Sequence, residues 1–160
     1  MTAIERAESE RGAATECRQF LTFTLGEESY GVDILGVQEI KGYAAVTRIP
    51  NTPPYIEGVL NLRGAVIPVF DLRAKFNMAQ AAHTPVTVIV VVVVRQRVVG
   101  LVVDAVSDVL DIDRTAIHPP PAFGRAVDVG FLDGIGQCGG KMVALLNIER
   151  LVGEGEELIS

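Results

Sequence analysis

Apolar and polar residues alternate with a period of two along much of the chain. In residues 21–25, three large apolar side chains alternate with two threonines, a pattern that predicts a half-buried β-strand. A turn-forming stretch at residues 26–29 follows, and residues 30–34 predict a strand that pairs back on the first. Residues 37–40 predict a further extended segment. The first part of the chain is therefore predicted to form β-hairpins.

The same pattern continues toward the carboxyl terminus, with short turns between the strands. Arg63-Gly64 is predicted to join one pair of strands and Gly139-Gly140 another. Glycine suits such turns because two-residue hairpin turns require positive φ angles. Further strands are predicted at residues 58–62, 65–70, 86–94, 98–103, 106–112, 131–138 and 141–146.

Helical patterns are few and short. Asp71 is predicted to cap a helix over residues 72–78, and apolar residues return at helical spacing over residues 147–152. The small and polar stretch 79–85 is the one internal boundary that the sequence indicates. The chain is therefore predicted to consist of two strand-rich halves, each followed by a short helix.

About ten short strands with few helices predict an all-β barrel or sandwich. The two sets of strands are predicted at residues 19–80 and 84–146, with the carboxyl-terminal helix from residue 147. Because a half of that size buries little core by itself, the two halves are expected to share one hydrophobic core. Residues 1–18 and 153–160 are predicted to be tails.

Composition and charge exclude several classes of protein. The net charge is −6, and lysines and arginines occur singly, so no basic patch for nucleic acid or an anionic membrane is visible. The valine-rich run 86–94 is far shorter than the roughly 20 residues of a spanning helix. The charged stretch 1–16 lacks the apolar core of a signal peptide, so a cytoplasmic protein with free thiols at Cys17 and Cys138 is expected.

The sequence contains no convincing catalytic, cofactor or metal site. The glycines at 134, 136 and 139 match the spelling of a dinucleotide fingerprint, but they fall on a strand and a hairpin turn instead of before a helix. His83 and His118 stand apart in separate loops, whereas metal sites need clustered ligands. The aspartates of residues 104–113 alternate with apolar residues, which predicts a solvated strand face. A non-catalytic protein is therefore expected.

Two valines stand out as possible contacts on the surface. If Ile40 faces the core, alternation places Val37 on the exposed face of its strand beside Glu39. If Ile112 also points inward, alternation exposes Val109 on its own strand. A valine on an edge strand, next to a charged residue that prevents pairing with other chains, would give the same sequence pattern. Alternation alone therefore leaves a docking role open.

Four stretches of the sequence resemble the chemotaxis coupling protein family, whose members are called CheW-like. The most specific is VTRIPNTPPYIEGVLNLRGAVIPVFDLRAKF at residues 46–76, which contains the Asn-Leu-Arg-Gly hallmark. The others are YGVDILGVQEI at 30–40, VVGLVVDAVSDVLDI at 98–112 and GIGQCGGKMVALLNIERL at 134–151. The motifs occur in order over residues 19–152, which is nearly all of the predicted folded chain.

The resemblance implies a fold and a function. It implies two SH3-like five-stranded barrels packed on a shared hydrophobic core, in agreement with the predicted strands. It also implies a cytoplasmic adaptor without catalysis, which couples the cytoplasmic tips of chemoreceptors to the regulatory domain of the chemotaxis histidine kinase. Such an adaptor would be recruited to membrane-associated receptor arrays, with no membrane insertion, nucleic acid or cofactor of its own.

The resemblance also implies site residues. Val37, Glu39 and Gly58 match positions associated with kinase docking, and Arg63 is the arginine of the hallmark. Ile34, Val88 and Val109 match positions of the receptor-binding groove, although Val88 reads as ordinary core from its surroundings. We expect the first set at the kinase surface and the second at the receptor surface.

Arginine carries a planar fork that pairs well with a carboxylate, so we hypothesise that Glu39 is the partner of Arg63 and that the pair shapes the docking surface. An unpaired surface arginine is the alternative.

Two other functions remain open from the sequence. One is a coupling protein of a related chemosensory-like pathway such as twitching motility. The other is a small-ligand-binding barrel or an enzyme, which would need a deep polar pocket with perturbed titratable groups.

Overall fold

The structure is a computed structural model, and it describes residues 17–43, 46–76, 78–79, 83–119 and 131–152. Eleven strands make up most of this part of the chain, which confirms the all-β prediction. They are β1 (Cys17–Leu25), β2 (Glu28–Asp33), β3 (Val37–Gly42), β4 (Ile56–Leu62), β5 (Ala65–Asp71), β6 (Val88–Val94), β7 (Arg97–Val103), β8 (Ala105–Asp113), β9 (Ile117–His118), β10 (Leu132–Cys138) and β11 (Lys141–Leu146). The predicted tail reaches residue 18, whereas β1 already begins at Cys17; residues 1–16 and 153–160 lie outside the described residues.

Both predicted helices are present, and both begin where the sequence indicates. Helix α1 (Leu72–Lys75) starts after Asp71, whose side chain accepts a hydrogen bond from the Arg73 amide at 3.0 Å. It is shorter than expected and ends after one turn. The second helix, α2, covers residues 148–152 of the described chain and is capped by Asn147, whose side-chain oxygen accepts from the Arg150 amide at 3.0 Å.

The hairpins close through backbone conformations that few residues adopt. Arg63 and Gly64 both have positive φ, of 51° and 88°, between β4 and β5. Gly139 and Gly140, at 57° and 80°, do the same between β10 and β11, as predicted. The positive φ at these paired positions matches the right-handed twist of the flanking strands.

The strands form two sheets, and the sheets do not follow the predicted boundary near residue 80. One sheet has six strands in the order β8-β1-β2-β11-β10-β9, and the other has five in the order β3-β6-β7-β5-β4. The first hairpin of the chain, β1–β2, thus joins strands of the second half. The hairpin β6–β7 in turn joins strands of the first half.

Two parallel contacts produce this exchange between the halves. β11 pairs with β2, and β5 pairs with β7, each in parallel. Turn chemistry determines only which neighbouring strands form hairpins, whereas these pairings join strands far apart in the sequence. Each sheet, one of five strands and one of six, is therefore assembled from both halves of the chain around the predicted shared core.

A shared hydrophobic core lies between the two sheets, as predicted. Its buried side chains come from both, including Phe23 and Tyr30 of the six-stranded sheet and Phe70, Val92 and Leu101 of the five-stranded sheet. Two smaller clusters fill the opposite faces: one around Val69 and Val91 within the five-stranded sheet, and one around Phe20 and Val143 within the six-stranded sheet. In β6 the odd and even residues serve different clusters, as the period of two requires.

An ion pair between Arg73 and Asp104, which we call the strut, links the two sheets beside the shared core. The Arg73 guanidinium donates to both oxygens of Asp104, at 2.8 and 2.5 Å, and the Gly26 amide donates to the same carboxylate at 2.7 Å. These bonds hold the pKa of Asp104 below its usual range, the Arg73 hydrogen bond acting most strongly and burial opposing it. Helix α1, the β1–β2 turn and the β7–β8 junction are thereby fixed to one another.

Within the described residues, no helix is long and apolar enough to cross a membrane. The valine-rich run forms β6, which pairs with β3 and β7 as an interior strand of its sheet.

Candidate docking surfaces

The two edge strands of the five-stranded sheet, β3 and β4, are joined by side chains. Glu39 on β3 forms an ion pair with Arg63 in the β4–β5 turn. Tyr43, which follows β3, donates its hydroxyl hydrogen bond to Glu57 on β4 at 2.7 Å. Residue numbers rise along β3 as they fall along β4, so the edges face each other antiparallel. We call this strip between β3 and β4, crossed by the two side-chain links, the seam.

Glu39 and Arg63 meet at the seam as hypothesised. Glu39 is 24% exposed and Arg63 69% exposed, so the pair sits at the surface with the carboxylate better covered than the guanidinium. The turn that carries Arg63 is held by Asn61, whose side-chain oxygen accepts from the Gly64 amide at 2.9 Å. The hallmark Asn-Leu-Arg-Gly thus builds a rigid turn that presents its arginine to Glu39.

Tyr43 and Glu57 form the second link of the seam. Burial of the phenol and its hydrogen bond to Glu57 raise the pKa of Tyr43 to about 12. The ring of His83 stacks on the Tyr43 ring at a centroid distance of 3.8 Å. Sequence reasoning missed these residues, because a hydrogen bond between strands that are distant in sequence leaves no local pattern.

Gly58 lies on β4 within the seam and is buried. Its φ is +148°, and an added Cβ would lie 2.2 Å from the Thr47 carbonyl oxygen. Gly58 is therefore a point of close backbone approach within the seam and not a side-chain contact.

The predicted orientation of β3 is wrong. Ile40 is 45% exposed, whereas Val37 is half-buried and packs against the shared core. The cause is a β-bulge between Val37 and Glu39: Val37 pairs with Val92, and Glu39 pairs with the adjacent Val91. Since directly paired residues project from the same face, the bulge sends Val37 and Glu39 to opposite faces of the sheet.

The expected kinase-docking and receptor-docking sets are regrouped by this geometry. Glu39, Gly58 and Arg63 lie at the seam. Val37 instead joins Ile34 and Val88, and all three are half-buried side chains that contact the shared core.

Leu35, next to Ile34 in the 3-10 turn Ile34–Gly36, is 91% exposed and was not predicted. A leucine whose neighbour faces the core at a turn is the signal that could have identified it.

Val109 lies in the other sheet, on the edge strand β8. It is 49% exposed between Ser107 and Asp111, while Ile112 is buried, as alternation predicted. Val109 pairs with Leu21 of β1, a strand that also contacts the 3-10 turn carrying Ile34. The predicted receptor-docking residues therefore come from both sheets, Val109 from the six-stranded sheet and Val88 from the five-stranded sheet.

Chemistry at other places in the described residues is sparse. No group of three or more His, Cys, Asp or Glu side chains in this part of the chain could hold a metal ion. Gly134 and Gly136 lie on β10, and Gly139 lies in the hairpin turn. A groove of about 390 Å³ runs between β5, the β6–β7 turn and α2; apolar side chains dominate its lining, and the Arg95–Glu149 ion pair lies on its rim.

Comparison with known proteins identifies the family to which this architecture corresponds. The model of the CheW-like domain matches residues 19–156. The chemotaxis protein CheW of Klebsiella aerogenes is 47% identical over 148 residues, which cover 92% of this chain and 89% of that protein. The protein FrzA of Myxococcus xanthus is 34% identical over 148 residues, covering 89% of this chain and 92% of FrzA.

A solved structure has the same fold. The scaffolding protein TtCheW from Thermoanaerobacter tengcongensis superposes with a TM-score of 0.78 and 37% sequence identity. The match covers 84% of this chain and 86% of that one. The two sheets with their shared core are therefore the architecture of a chemotaxis scaffolding protein.

Proposed function

The chain belongs to the CheW-like family, and we propose that it is a non-catalytic adaptor that couples chemoreceptors to the chemotaxis histidine kinase. Its relatives are named as chemotaxis and scaffolding proteins, which supports a coupling role in chemotaxis. The finer proposal is that one surface binds the regulatory domain of the kinase and another binds the cytoplasmic tips of the receptors. Binding both at once would help to assemble the signalling array.

The observation that carries the kinase half of the proposal is the convergence of Glu39, Gly58 and Arg63 at the seam. These residues are separated by up to 24 positions in the sequence, yet the seam brings the Glu39 and Arg63 side chains into contact. An ion pair at the surface contributes little to stability, about 0–1 kcal/mol. A surface with fixed charges instead steers a partner and sets its orientation. Exposed Ile40 on the same strand pairs with Val90, so it projects from the face opposite Glu39.

The receptor half of the proposal rests on exposed apolar side chains. Leu35 and Val109 are both well exposed, and Val93, on β6 beside the 3-10 turn, is partly exposed. Single exposed apolar residues are ordinary, but an apolar contact is what a packed helical receptor tip requires. We assign Leu35 to this surface together with Ile34, Val88 and Val109.

A second candidate is a coupling protein of a related chemosensory-like pathway. The similarity to FrzA of Myxococcus xanthus supports this candidate. The same two surfaces would serve, with a different kinase and different receptors as partners.

The test is a three-component binding experiment by analytical ultracentrifugation. The protein is mixed with the regulatory domain of the chemotaxis kinase from its own organism and with a cytoplasmic receptor fragment. A ternary complex is expected, because the seam and the receptor surface are separate. Arg63→Glu should remove the kinase domain from the complex and leave the receptor, and Val109→Asp should do the reverse.

Three results of this experiment would count against the proposal. Mutual exclusion of the two partners would overturn bridging. Loss of both partners in either single variant would overturn the separation of the surfaces. Absence of binding to this kinase, together with binding to the kinase of another chemosensory pathway, would support the second candidate.

A further inference from the structure

The backbone packed against Gly58 leaves no room for a side chain at this position. A Cβ there would lie 2.2 Å from the Thr47 carbonyl oxygen and 2.7 Å from Cγ1 of Val46. The first of these atoms belongs to the backbone, so rotation of a side chain cannot relieve the contact. The φ of +148° is also one that residues with a Cβ rarely adopt. Any substitution at Gly58 must therefore move the chain at residues 46–47.

The segment that would move covers the free edge of β4. The Thr47 amide donates to the Val59 carbonyl at 2.9 Å, and the Val59 amide donates to the Thr47 carbonyl at 2.8 Å. This pair of bonds is a single isolated bridge, next to a register shift between Ile56 and Gly58 on β4. An uncovered strand edge offers unpaired backbone groups to other chains, and Thr47 occupies those groups at Val59.

We propose that Gly58 is a positioning residue of the kinase-docking surface, which acts by admitting Thr47 to the edge of β4. Its missing side chain allows the Thr47–Val59 bridge, and the bridge sets the course of residues 46–52 across the seam. The partner consequently docks on side chains of the seam and does not add a strand to β4. This inference rests on the proposed function, because it assigns a role within the same docking surface.

Direct contact with the partner is the alternative role for Gly58, and burial argues against it. Gly58 is buried beneath the segment that it admits, so a new side chain would first meet Thr47 and Val46. The effect of a substitution on docking should therefore follow the displacement of Thr47. That displacement can be measured in the free protein, without any partner.

The six-stranded sheet contains a matched control for this arrangement. Gly134 on β10 follows an apolar residue and an acidic residue, as Gly58 does, and a register shift separates Leu132 from Gly134. A Cβ at Gly134 would lie 2.8 Å from the His118 carbonyl oxygen and 2.8 Å from Cγ2 of Ile117. Gly134→Ala should disturb its own sheet in the same way, at a distance from the seam.

The experiment compares Gly58→Ala, Gly134→Ala and Gly140→Ala in two measurements. The first is amide hydrogen exchange at Val59, followed by NMR in the free protein. The second is calorimetric titration with the regulatory domain of the kinase. Gly140, in the β10–β11 turn, has a φ of +80° but open space around its Cβ position, so it controls for backbone strain without a steric contact.

Gly58→Ala is expected to accelerate exchange at Val59 by about tenfold or more and to weaken kinase binding by a similar factor. Gly134→Ala and Gly140→Ala are expected to leave both measurements within about twofold of the wild type. If Gly58→Ala does not fold, Thr47→Pro replaces it. Proline lacks the donor of one bridge bond and leaves position 58 untouched, so the same two changes should appear.

Two results would overturn the inference. One is weaker kinase binding by Gly58→Ala with exchange at Val59 unchanged, which would indicate direct contact. The other is faster exchange at Val59 with kinase binding unchanged, which would show that the bridge has no part in docking. Failure of the wild type to bind the kinase domain would instead overturn the proposed function, and exchange at Val59 would still decide whether Gly58 admits Thr47.

Discussion

The two sheets contain the same local arrangement of residues, but the backbone that packs against it differs between them. Each has a hairpin whose first strand carries an apolar residue, an acidic residue and a glycine at a register shift: Ile56-Glu57-Gly58 in β4 and Leu132-Asp133-Gly134 in β10. In β10 the glycine faces β9, which is a regular strand with two paired positions. In β4 the glycine faces the single bridge between Thr47 and Val59. Among the described residues, the links between β4 and β3 are the two side-chain contacts of the seam.

The edge of β10 is held by backbone pairing, whereas the edge of β4 is linked to β3 by side chains. Backbone pairing satisfies the polar groups of β10 without reference to side chains, so that region depends little on the residues it carries. The seam depends on Glu39, Arg63, Tyr43 and Glu57, whose contacts can be altered by single substitutions. A surface that must recognise one partner benefits from fixed polar groups of this kind. Two of the three predicted kinase-docking residues, Glu39 and Gly58, lie at the seam.

The largest effect on stability is expected in the core that both sheets share, where the two sheets should respond alike. Phe70→Ala empties a fully buried site and should destabilise the protein by about 3–5 kcal/mol. Because the core belongs to both sheets, amide protection should fall in both together. Val66→Ala on the same strand, 68% exposed, should change stability by less than about 0.5 kcal/mol. Loss of protection confined to the five-stranded sheet would contradict a shared core.

The next effect concerns the strut between the sheets. Arg73→Ala leaves the Asp104 carboxylate with only the Gly26 amide and should cost about 2 kcal/mol at neutral pH. The pKa of Asp104 is lowered from 3.8 in the folded state, so its contribution is present above that value and is lost as the pH falls through the lowered value.

Urea unfolding of Asp104→Asn at a series of pH values tests this dependence. The difference in stability from the wild type should be large at neutral pH and shrink in acid. A difference that stays constant with pH would show that the charge of Asp104 has no part in the strut.

A smaller effect is expected from the second link of the seam. Tyr43→Phe removes the hydrogen bond to Glu57 and should cost about 1 kcal/mol. Because the pKa of Tyr43 is raised from 10.0 to about 12, the stabilisation is complete below pH 10.0 and is lost as the pH rises toward 12. The difference in tyrosinate absorbance between wild type and variant should show the Tyr43 phenol titrating late in alkali. Tyr30→Phe, whose hydroxyl bonds Glu28 in the other sheet, should retain it.

The smallest effect on stability is expected from Glu39 and Arg63. A double-mutant cycle with Glu39→Gln and Arg63→Gln, measured by chemical denaturation, should give a coupling of about 0–1 kcal/mol, since both groups reach solvent. The same cycle measured on kinase binding should give a larger coupling. Equal coupling in both measurements would mean that the pair serves only the fold.

Much of the local structure could be predicted from the sequence. Glycines in the Gly139-Gly140 turn, the cap at Asp71 and alternation in β8 depend on neighbouring residues, and they gave the correct hairpin, helix start and exposure of Val109. The family motifs led to the ion pair at Arg63. These features are encoded within a few residues of where they act.

The remainder depends on contacts between distant strands. The parallel pairing of β2 with β11 and of β5 with β7 leaves no local pattern, so the exchange of hairpins between the halves was missed. The bulge in β3 places Val37 and Ile40 on one face and Glu39 on the other, because one unpaired residue shifts alternation without changing composition. Gly58 was assigned to the kinase-docking surface from a family motif, and only the backbone of Thr47 explains why it must be glycine.

The most direct test of the seam as the kinase-docking surface is calorimetric titration of the kinase regulatory domain with Arg63→Glu and Arg114→Glu. Both substitutions reverse one exposed charge, the first at the seam and the second in the 3-10 turn Arg114–Ala116 of the other half. Arg63→Glu is expected to weaken binding by about tenfold or more, and Arg114→Glu by less than about twofold. Equal affinities for the two variants, or a greater loss with Arg114→Glu, would contradict docking at the seam.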